Sequence, residues 1–143
     1  MPGAEIPEAY EDLFRGSALA ALATLRADGT PQLTPVWIDL EAGMVLVNAR
    51  ADRLKVANMQ RRGDVGVLVV DPANPHRYVS VTGVVESADE DGSMPHMDRL
   101  SERYLRVRKY PWATPGQGRL IFRIRPTRVL TARGDDELPE PEF

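Results

Sequence analysis

The chain contains no cysteine, only two histidines and few aromatic residues, which make up 6% of its 143 positions. Without cysteine, disulfides, thiolate metal sites and thiol catalysis are excluded. His76 and His96 both lie in polar, proline-containing stretches, which argues against a histidine-based metal site. No run of 18 or more apolar residues occurs, so no membrane-spanning helix is predicted. The N-terminal residues lack the cations and apolar core of a signal peptide, and we expect a cytoplasmic protein.

Charge is distributed unevenly behind a formal net charge of −3. Residues 1–14 hold four acids and residues 134–143 hold five, while neither segment contains Lys or Arg. The remaining chain carries 18 basic and 12 acidic residues, a balance that suits a small polyanion. The basic residues are scattered and form no known reader motif, so we expect no nucleic-acid partner. We predict a single domain over residues 1–143, in which the acidic segment 134–143 is a mobile end.

Hydrophobic periodicity and turn signals predict an antiparallel β-barrel with peripheral helices. Asp28-Gly29 marks a hairpin between the first two strands, and Pro35 demotes the second strand to an edge or bulge position. The strand–helix–strand segment 44–70 alone is compatible with parallel pairing. Strands are predicted over residues 18–26, 31–40, 44–49, 65–70, 77–87, 119–125 and 127–132. Helices are predicted over residues 7–15, 52–61 and 93–109, the last capped by Ser93.

The segment 45–58 carries the strongest functional signal in the chain. An apolar strand ends in a polar turn, and Asp52 is predicted to open a helix. Arg50, Arg53 and Lys55 surround this helix start, where unpaired backbone N–H groups already attract anions. The segment by itself is compatible with a phosphate site and equally with a capped, solvated helix end.

Four stretches, taken in order, resemble a known family. They are the Thr-x-x-x-Asp-Gly-x-Pro hairpin within residues 23–32, the strand segment 34–37, the segment 48–58 and the strand segment 78–83. Together they are similar to the flavin and deazaflavin oxidoreductases with the pyridoxamine 5'-phosphate oxidase-like split barrel. The short chain and its Arg53-Leu54-Lys55 segment look most like the F420-dependent group B enzymes. True pyridoxamine-phosphate oxidases end in an Arg- and His-bearing substrate segment that this chain lacks, so we do not expect that activity.

The resemblance implies a split β-barrel homodimer with a cofactor groove at the subunit interface. It implies hydride transfer from reduced coenzyme F420, a 5-deazaflavin, to an unsaturated small-molecule acceptor. The residues implied to line the cofactor ring are Gln32, Thr34, Pro35, Val36 and Trp37. Those implied to hold the phosphate and its approach are Asn48, Ala49, Arg50, Arg53, Lys55 and Asn58. Tyr78 and Ser80 are implied to come from the partner subunit.

The residue types agree with cofactor-borne chemistry. The sequence shows no Ser-His-Asp set, carboxylate pair or metal cluster, and a deazaflavin performs the redox step itself. No proton donor is assigned. Two alternatives stay open: FMN in the same groove, or a non-catalytic module that binds the cofactor or haem. His96 and the basic residues of the last helix, including Arg103, are predicted to face solvent.

Overall fold

A single antiparallel sheet of seven strands organises residues 4–134, which are the residues that the computed structural model describes. The strands are β1 (Ala20–Leu25), β2 (Pro31–Val36), β3 (Asp39–Glu41), β4 (Met44–Arg50), β5 (Asp64–Asp71), β6 (Asn74–Asp89) and β7 (Arg119–Arg133). They are arranged in the order β2-β1-β5-β6-β7-β4-β3. The helices are α1 (Asp12–Arg15), α2 (Leu54–Arg61) and α3 (Ser93–Leu105). The predicted antiparallel barrel with peripheral helices is confirmed.

The core lies on the inner face of this sheet. Leu22 of β1, Val47 of β4, Val69 of β5 and Phe122 of β7 are each at most 1% exposed. Burying each such side chain contributes about 1.5–3 kcal/mol to folding. Because side chains alternate along a strand, the neighbours of these residues point outward, and polar residues of β4 reach the surface there. The strands at either end of segment 44–70 are not sheet neighbours, so parallel pairing does not occur within residues 4–134.

The single strand predicted over residues 31–40 is wrong, because the chain breaks between β2 and β3. At Ile38 the backbone bonds to side chains of α3 instead of a strand. Its N–H donates to Tyr104 Oη at 3.0 Å, and its carbonyl accepts from Arg103 Nη2. The chain therefore leaves one edge of the sheet and joins the other, where β3 pairs with β4. The prediction that Pro35 lies in an edge strand is confirmed.

The two C-terminal strands predicted on either side of Pro126 are one continuous strand, β7. Pro126 lies opposite Gly83, and the register shifts there because Thr127 is an extra residue in the ladder. A β-bulge locally interrupts the ladder of hydrogen bonds. Proline is tolerated there because it has no backbone N–H that would need a ladder partner. A Cβ on Gly83 would come within 2.6 Å of the Ile124 side chain and 2.8 Å of the Arg125 carbonyl oxygen. The long pairing of β6 with β7 therefore requires glycine at this position.

The helix boundaries differ from the predicted ones. Residues 7–15 form a 3₁₀ turn, Glu8–Tyr10, followed by the one-turn helix α1. Asp52 does not open α2, because the capping position is Arg53 and the Asp52 carboxylate pairs with Arg50 instead. Ser93 lies inside α3 and makes no cap.

Two further predictions concern the ends of α3 and of the chain. The helix stops at Leu105 because Arg106 adopts the left-handed conformation, with φ of 59°. No helix among residues 4–134 is long and apolar enough to cross a membrane. The predicted mobile end, residues 134–143, lies outside the described residues apart from Gly134.

Gly83→Ala is expected to lower the free energy of unfolding by about 2 kcal/mol, because the added methyl group collides with β7. Urea unfolding monitored by circular dichroism measures the change. The matched control is Gly66→Ala in β5, where the added carbon meets its nearest neighbour at 3.6 Å, an ordinary contact. Equal destabilisation by both substitutions would contradict the close approach at Gly83.

Candidate functional site

A groove of about 380 Å³ opens where the ends of β4 and β7 meet the start of α2. This volume lies within the range of small-molecule sites. Eight of the residues predicted for the cofactor line it: Pro35, Val36, Trp37, Asn48, Ala49, Arg50, Arg53 and Lys55. Five further residues complete the lining: Leu19, Met97, Tyr110, Trp112 and Arg119.

The register of β4 and β7 brings positive charge together in this groove. Arg50 and Arg119 are direct cross-strand partners, and like charges in that position repel. Arg53 and Lys55 add two more cations at the start of α2. Among residues 4–134, only Arg50 of these four has a carboxylate partner, Asp52, at 2.7 Å. The groove therefore holds a surplus of positive charge.

Burial and mutual repulsion both act on these cations. Burial lowers the pKa of Lys55, and the neighbouring Arg53 and Arg119 lower this pKa further. Burial also lowers the pKa of Arg119, and Arg50 and Arg53 add to that effect against the opposing influence of Tyr110. The Lys55 ammonium has one weak polar contact, to Thr34 Oγ1 at 3.4 Å. A bound anion would relieve the repulsion that lowers both pKa values.

Aromatic side chains form the wall facing the cations. Trp37 stacks on Tyr104 with ring centroids 5.1 Å apart and meets Tyr110 edge-on at 5.9 Å. Tyr110 in turn contacts Trp112 edge-on at 5.7 Å, and Arg119 lies over the Tyr110 ring. Trp112 is 61% exposed, so its face is available to a ligand. The groove thus combines an aromatic wall with a cluster of cations.

A chain of hydrogen bonds runs from the groove into the interior through Asn48. Arg119 Nε donates to Asn48 Oδ1 at 2.8 Å, and Asn48 Nδ2 contacts His96 Nδ1 at 3.1 Å. The other ring nitrogen of His96 lies 2.9 Å from Asp39 Oδ2, and Arg103 donates to Asp39 Oδ1 at 3.0 Å. These side-chain hydrogen bonds therefore connect the groove to α3 and β3.

The predictions for His96 and Arg103 are wrong, because neither faces solvent. His96 is 1% exposed, and Arg103 binds the carbonyl oxygens of Phe14, Gly16 and Ile38 in addition to Asp39. The apolar stripe of Met97, Leu100 and Tyr104 indicates the buried face of α3. His96 lies one turn before Leu100 on that face, so helical spacing was the signal that could have placed it inside.

Five of the predicted site residues lie away from the groove lining. Gln32 and the fully buried Asn58 bond to each other at 3.1 Å, and Asn58 also donates to Thr24, so they join α2 to the β1–β2 hairpin. Thr34 lies on β2 beside the groove and accepts the bond from Lys55. Tyr78 and Ser80 lie on β6 and are not among the groove residues.

Sequence reasoning missed Arg119 as a site residue. It is the first residue of β7, after the loop 110–118, and pairs with Arg50 only through the sheet register. Tyr110, Met97 and Leu19 were missed for the same reason, since each reaches the groove from a different part of the chain. Trp112 lies in the same loop, and its place in the groove follows only from the fold.

The lining offers few groups for acid–base chemistry. No Asp, Glu, His, Ser or Cys is among the groove residues, and Lys55 and Tyr110 are the ionisable groups besides the arginines. Within residues 4–134, no three His, Cys, Asp or Glu side chains are arranged to hold a metal ion. The groove lining therefore consists mainly of cationic, aromatic and other apolar side chains.

Comparison with known families agrees with this geometry. The family model described as pyridoxamine 5'-phosphate oxidase matches residues 6–133. The chain belongs to this family. This match confirms the resemblance that the sequence indicated. The family includes oxidoreductases. Comparison with curated protein sequences gives no match.

Solved structures of this fold extend the likeness. A protein described as an F420 reductase is 31% identical, with a TM-score of 0.76, over 87% of this chain and 98% of that chain. A conserved hypothetical protein from Mycobacterium tuberculosis is 24% identical, with a TM-score of 0.71, over 100% and 96% of the two chains. HupZ from Group A Streptococcus is 18% identical, with a TM-score of 0.64, over 91% and 98%. The last two likenesses concern the fold alone.

The Asp39 carboxyl is expected to titrate with a midpoint at about 2. Burial by itself would raise the pKa of Asp39, but hydrogen bonds from His96, the Leu40 N–H and Arg103 outweigh it and lower the pKa from 3.8. A lowered carboxyl pKa stabilises the fold above pH 3.8, here by about 2 kcal/mol, and this is lost as pH falls through about 2. Carbon-13 NMR of the Asp39 carboxyl measures the midpoint, and a value near 3.8 would contradict the network.

Proposed function

We propose that the protein is a cytoplasmic, homodimeric oxidoreductase that binds reduced coenzyme F420 in this groove and reduces an unsaturated organic acceptor. The observation that carries the proposal is the cluster Arg50, Arg53, Lys55 and Arg119 beside an aromatic wall, with a single carboxylate partner among the described residues. The likeness to a protein described as an F420 reductase supports the deazaflavin over other anionic cofactors.

The cation cluster suits the phosphate of such a cofactor. Repulsion between Arg50 and Arg119 and the burial of Lys55 cost stability unless an anion balances them. Arginine binds phosphate through two parallel N–H bonds, whereas lysine contributes a point charge. Together these groups would fix one end of the cofactor and set its position along the groove.

The aromatic wall suits the ring. Trp37 is held by its stack on Tyr104, whose hydroxyl donates to the Ala18 carbonyl at 2.6 Å, so the wall is rigid. Pro35 and Val36 give the adjoining strand an apolar surface, and Asn48 presents a polar amide at the groove floor. When bound, the deazaflavin supplies the hydride. The residues of this chain would bind the phosphate, orient the ring and exclude water.

An apolar outer face of the sheet supports the dimer. Pro35, Ala21, Leu68, Ser80 and Leu130 form one row across β2, β1, β5, β6 and β7. Leu68 is 38% exposed and Leu130 46% exposed, and Leu33 beside the row is 70% exposed. The row begins at Pro35, which also lines the groove.

A second copy seated on this face would bring its own outer residues toward the groove. Tyr78 and Ser80 lie two residues apart on β6 and therefore point to the same side of the sheet. That side carries Leu68 and Leu130. Tyr78 and Ser80 as contributions from the partner subunit stay a prediction, and this arrangement supports it.

Titration of the purified protein with F420 and with FMN tests the cofactor. We expect quenching of F420 fluorescence with saturation, and weaker binding of FMN. We also expect an α,β-unsaturated ketone to accelerate reoxidation of the bound, reduced F420. FMN binding without F420 binding would make the protein a flavin enzyme. F420 binding without accelerated reoxidation by any acceptor would favour a binding module.

Lys55→Ala and Arg119→Gln are each expected to raise the dissociation constant of F420 by about tenfold or more, because each removes a charged contact to the phosphate. The charge-matched control is Arg62→Ala, since Arg62 is exposed and pairs with Asp64 outside the groove. Arg62→Ala should change the constant by less than about twofold. Equal losses of F420 affinity in all three variants would reflect the change in net charge and would contradict a phosphate site.

Leu130→Glu is expected to convert a dimer to a monomer, because it places a charge on the proposed interface, at the β7 end of the apolar row. Light scattering coupled to gel filtration distinguishes the 15.9 kDa monomer from its dimer. Val107→Glu serves as the control, because Val107 is 42% exposed but follows α3 and lies outside the sheet. A monomeric wild-type protein would contradict the proposed interface.

A further inference from the structure

The Asn48 side-chain amide has one orientation that satisfies its neighbours. Arg119 has only donors, so the atom facing its Nε at 2.8 Å must be the amide oxygen. The Ser93 carbonyl only accepts, so the atom facing it at 2.8 Å must be the amide nitrogen. Both contacts are met at once, and reversing the amide would break both.

This orientation determines the protonation of His96. The Asn48 amide nitrogen also faces His96 Nδ1 at 3.1 Å, so Nδ1 must accept and carries no proton. The ring proton is then on Nε2, which donates to Asp39 Oδ2 at 2.9 Å. The imidazole is therefore the neutral Nε2-protonated tautomer, selected by Asp39 on one side and Asn48 on the other.

Adding a proton to His96 breaks this arrangement. Both ring nitrogens become donors, and Nδ1–H then opposes the Asn48 NH₂ group. Reversal of the amide would satisfy His96, but it would turn the NH₂ group toward Arg119 and the oxygen toward the Ser93 carbonyl. Whether the amide moves away from the ring or reverses, its oxygen leaves the position in which it accepts from Arg119 Nε.

We propose that His96 is a positioning residue: its neutral tautomer orients Asn48 and thereby holds Arg119 in the groove, so that protonation of His96 weakens the binding of a phosphate-bearing ligand. His96 itself touches no ligand, since it is 1% exposed and absent from the groove lining. The effect on ligand affinity rests on the proposed function. The assignment of the tautomer and its coupling to Arg119 do not depend on the proposed function.

Charged groups face His96 from β3, from within α3 and from β7. Asp39 faces it from β3 and stays ionised because its pKa is about 2. Arg103 faces it from within α3, behind Asp39, and Arg119 faces it from β7, beyond Asn48. The arginine guanidinium is not deprotonated in proteins, whereas histidine is the side-chain type that ordinarily changes charge between pH 5 and 8.

Two substitutions separate the two sides of the ring. His96→Asn places an amide oxygen near the position of Nδ1, so it keeps an acceptor for Asn48 and cannot be protonated. His96→Gln reaches the position of Nε2, so it keeps the contact to Asp39 and loses the acceptor for Asn48. A purely structural role for His96 would make the two variants equivalent in ligand binding.

The dissociation constant of F420 is measured for wild type and both variants at pH 8 and pH 5.5. At pH 8 we expect His96→Gln to bind about tenfold more weakly, and His96→Asn to stay within about twofold of wild type. At pH 5.5 His96→Asn should bind more tightly than wild type. Because the variants are compared at the same pH, any change in the protonation of F420 itself affects all of them equally. Equal affinities of the two variants at both pH values would overturn the proposal.

Nitrogen-15 NMR of the wild-type protein without cofactor gives a readout that survives a folding failure of either variant. At pH 8 the His96 ring should show a protonated Nε2 and an unprotonated Nδ1, while exposed His76 serves as the reference. On acidification the Arg119 Nε–H signal should shift together with the ring nitrogen signals of His96. A protonated Nδ1 at pH 8, or an unmoved Arg119 signal, would overturn the proposal. Failure of F420 to bind would overturn only the proposed function.

Discussion

The carboxylate of Asp39 joins the sheet to the helix that completes the groove. It accepts hydrogen bonds from His96 and Arg103, both on α3, and from the backbone N–H of Leu40. Arg103 continues this cluster to the carbonyl oxygens of Phe14 and Gly16, near the start of β1. Because the cluster fixes α3, it also fixes Met97 and the start of the loop that carries the aromatic wall. The shape of the groove therefore depends on one partly buried charge and its donors.

At the groove, two neighbouring strands of the sheet pair residues of like charge, which is unfavourable. Antiparallel register alone makes Arg50 the partner of Arg119, and a carboxylate at either position would have balanced the charge. Apart from the pair of Arg50 with Asp52, the described ion pairs lie outside the groove lining, as between Arg77 and Asp12 at 2.7 Å. Violations of local rules at one site, with agreement elsewhere, are typical of functional sites. The repulsion is useful only if an anion removes it.

Features that depend on local sequence could be predicted, and features that depend on distant contacts could not. The β1–β2 hairpin follows from Asp28-Gly29, and α2 follows from its periodicity. The break at Ile38 has no local signal, since it is caused by side chains more than 60 residues away. The same holds for His96 with Asp39, 57 residues apart, and for Arg119 with Asn48, 71 residues apart. The sequence of a single helix does not show how much of its basic face is buried against distant parts of the chain.

The segment Lys55–Asn58 shows why a motif does not translate directly into a set of ligands. The two side chains have different surroundings: Lys55 lines the groove, while the Asn58 amide is buried against Thr24 and Gln32. Asn58 also accepts a bond from Arg61 one turn later, so it holds α2 to the hairpin. Since Thr34 of the same hairpin contacts Lys55, the orientation of the lysine depends on where Asn58 anchors the helix. Asn58 serves the site by placing another residue in it.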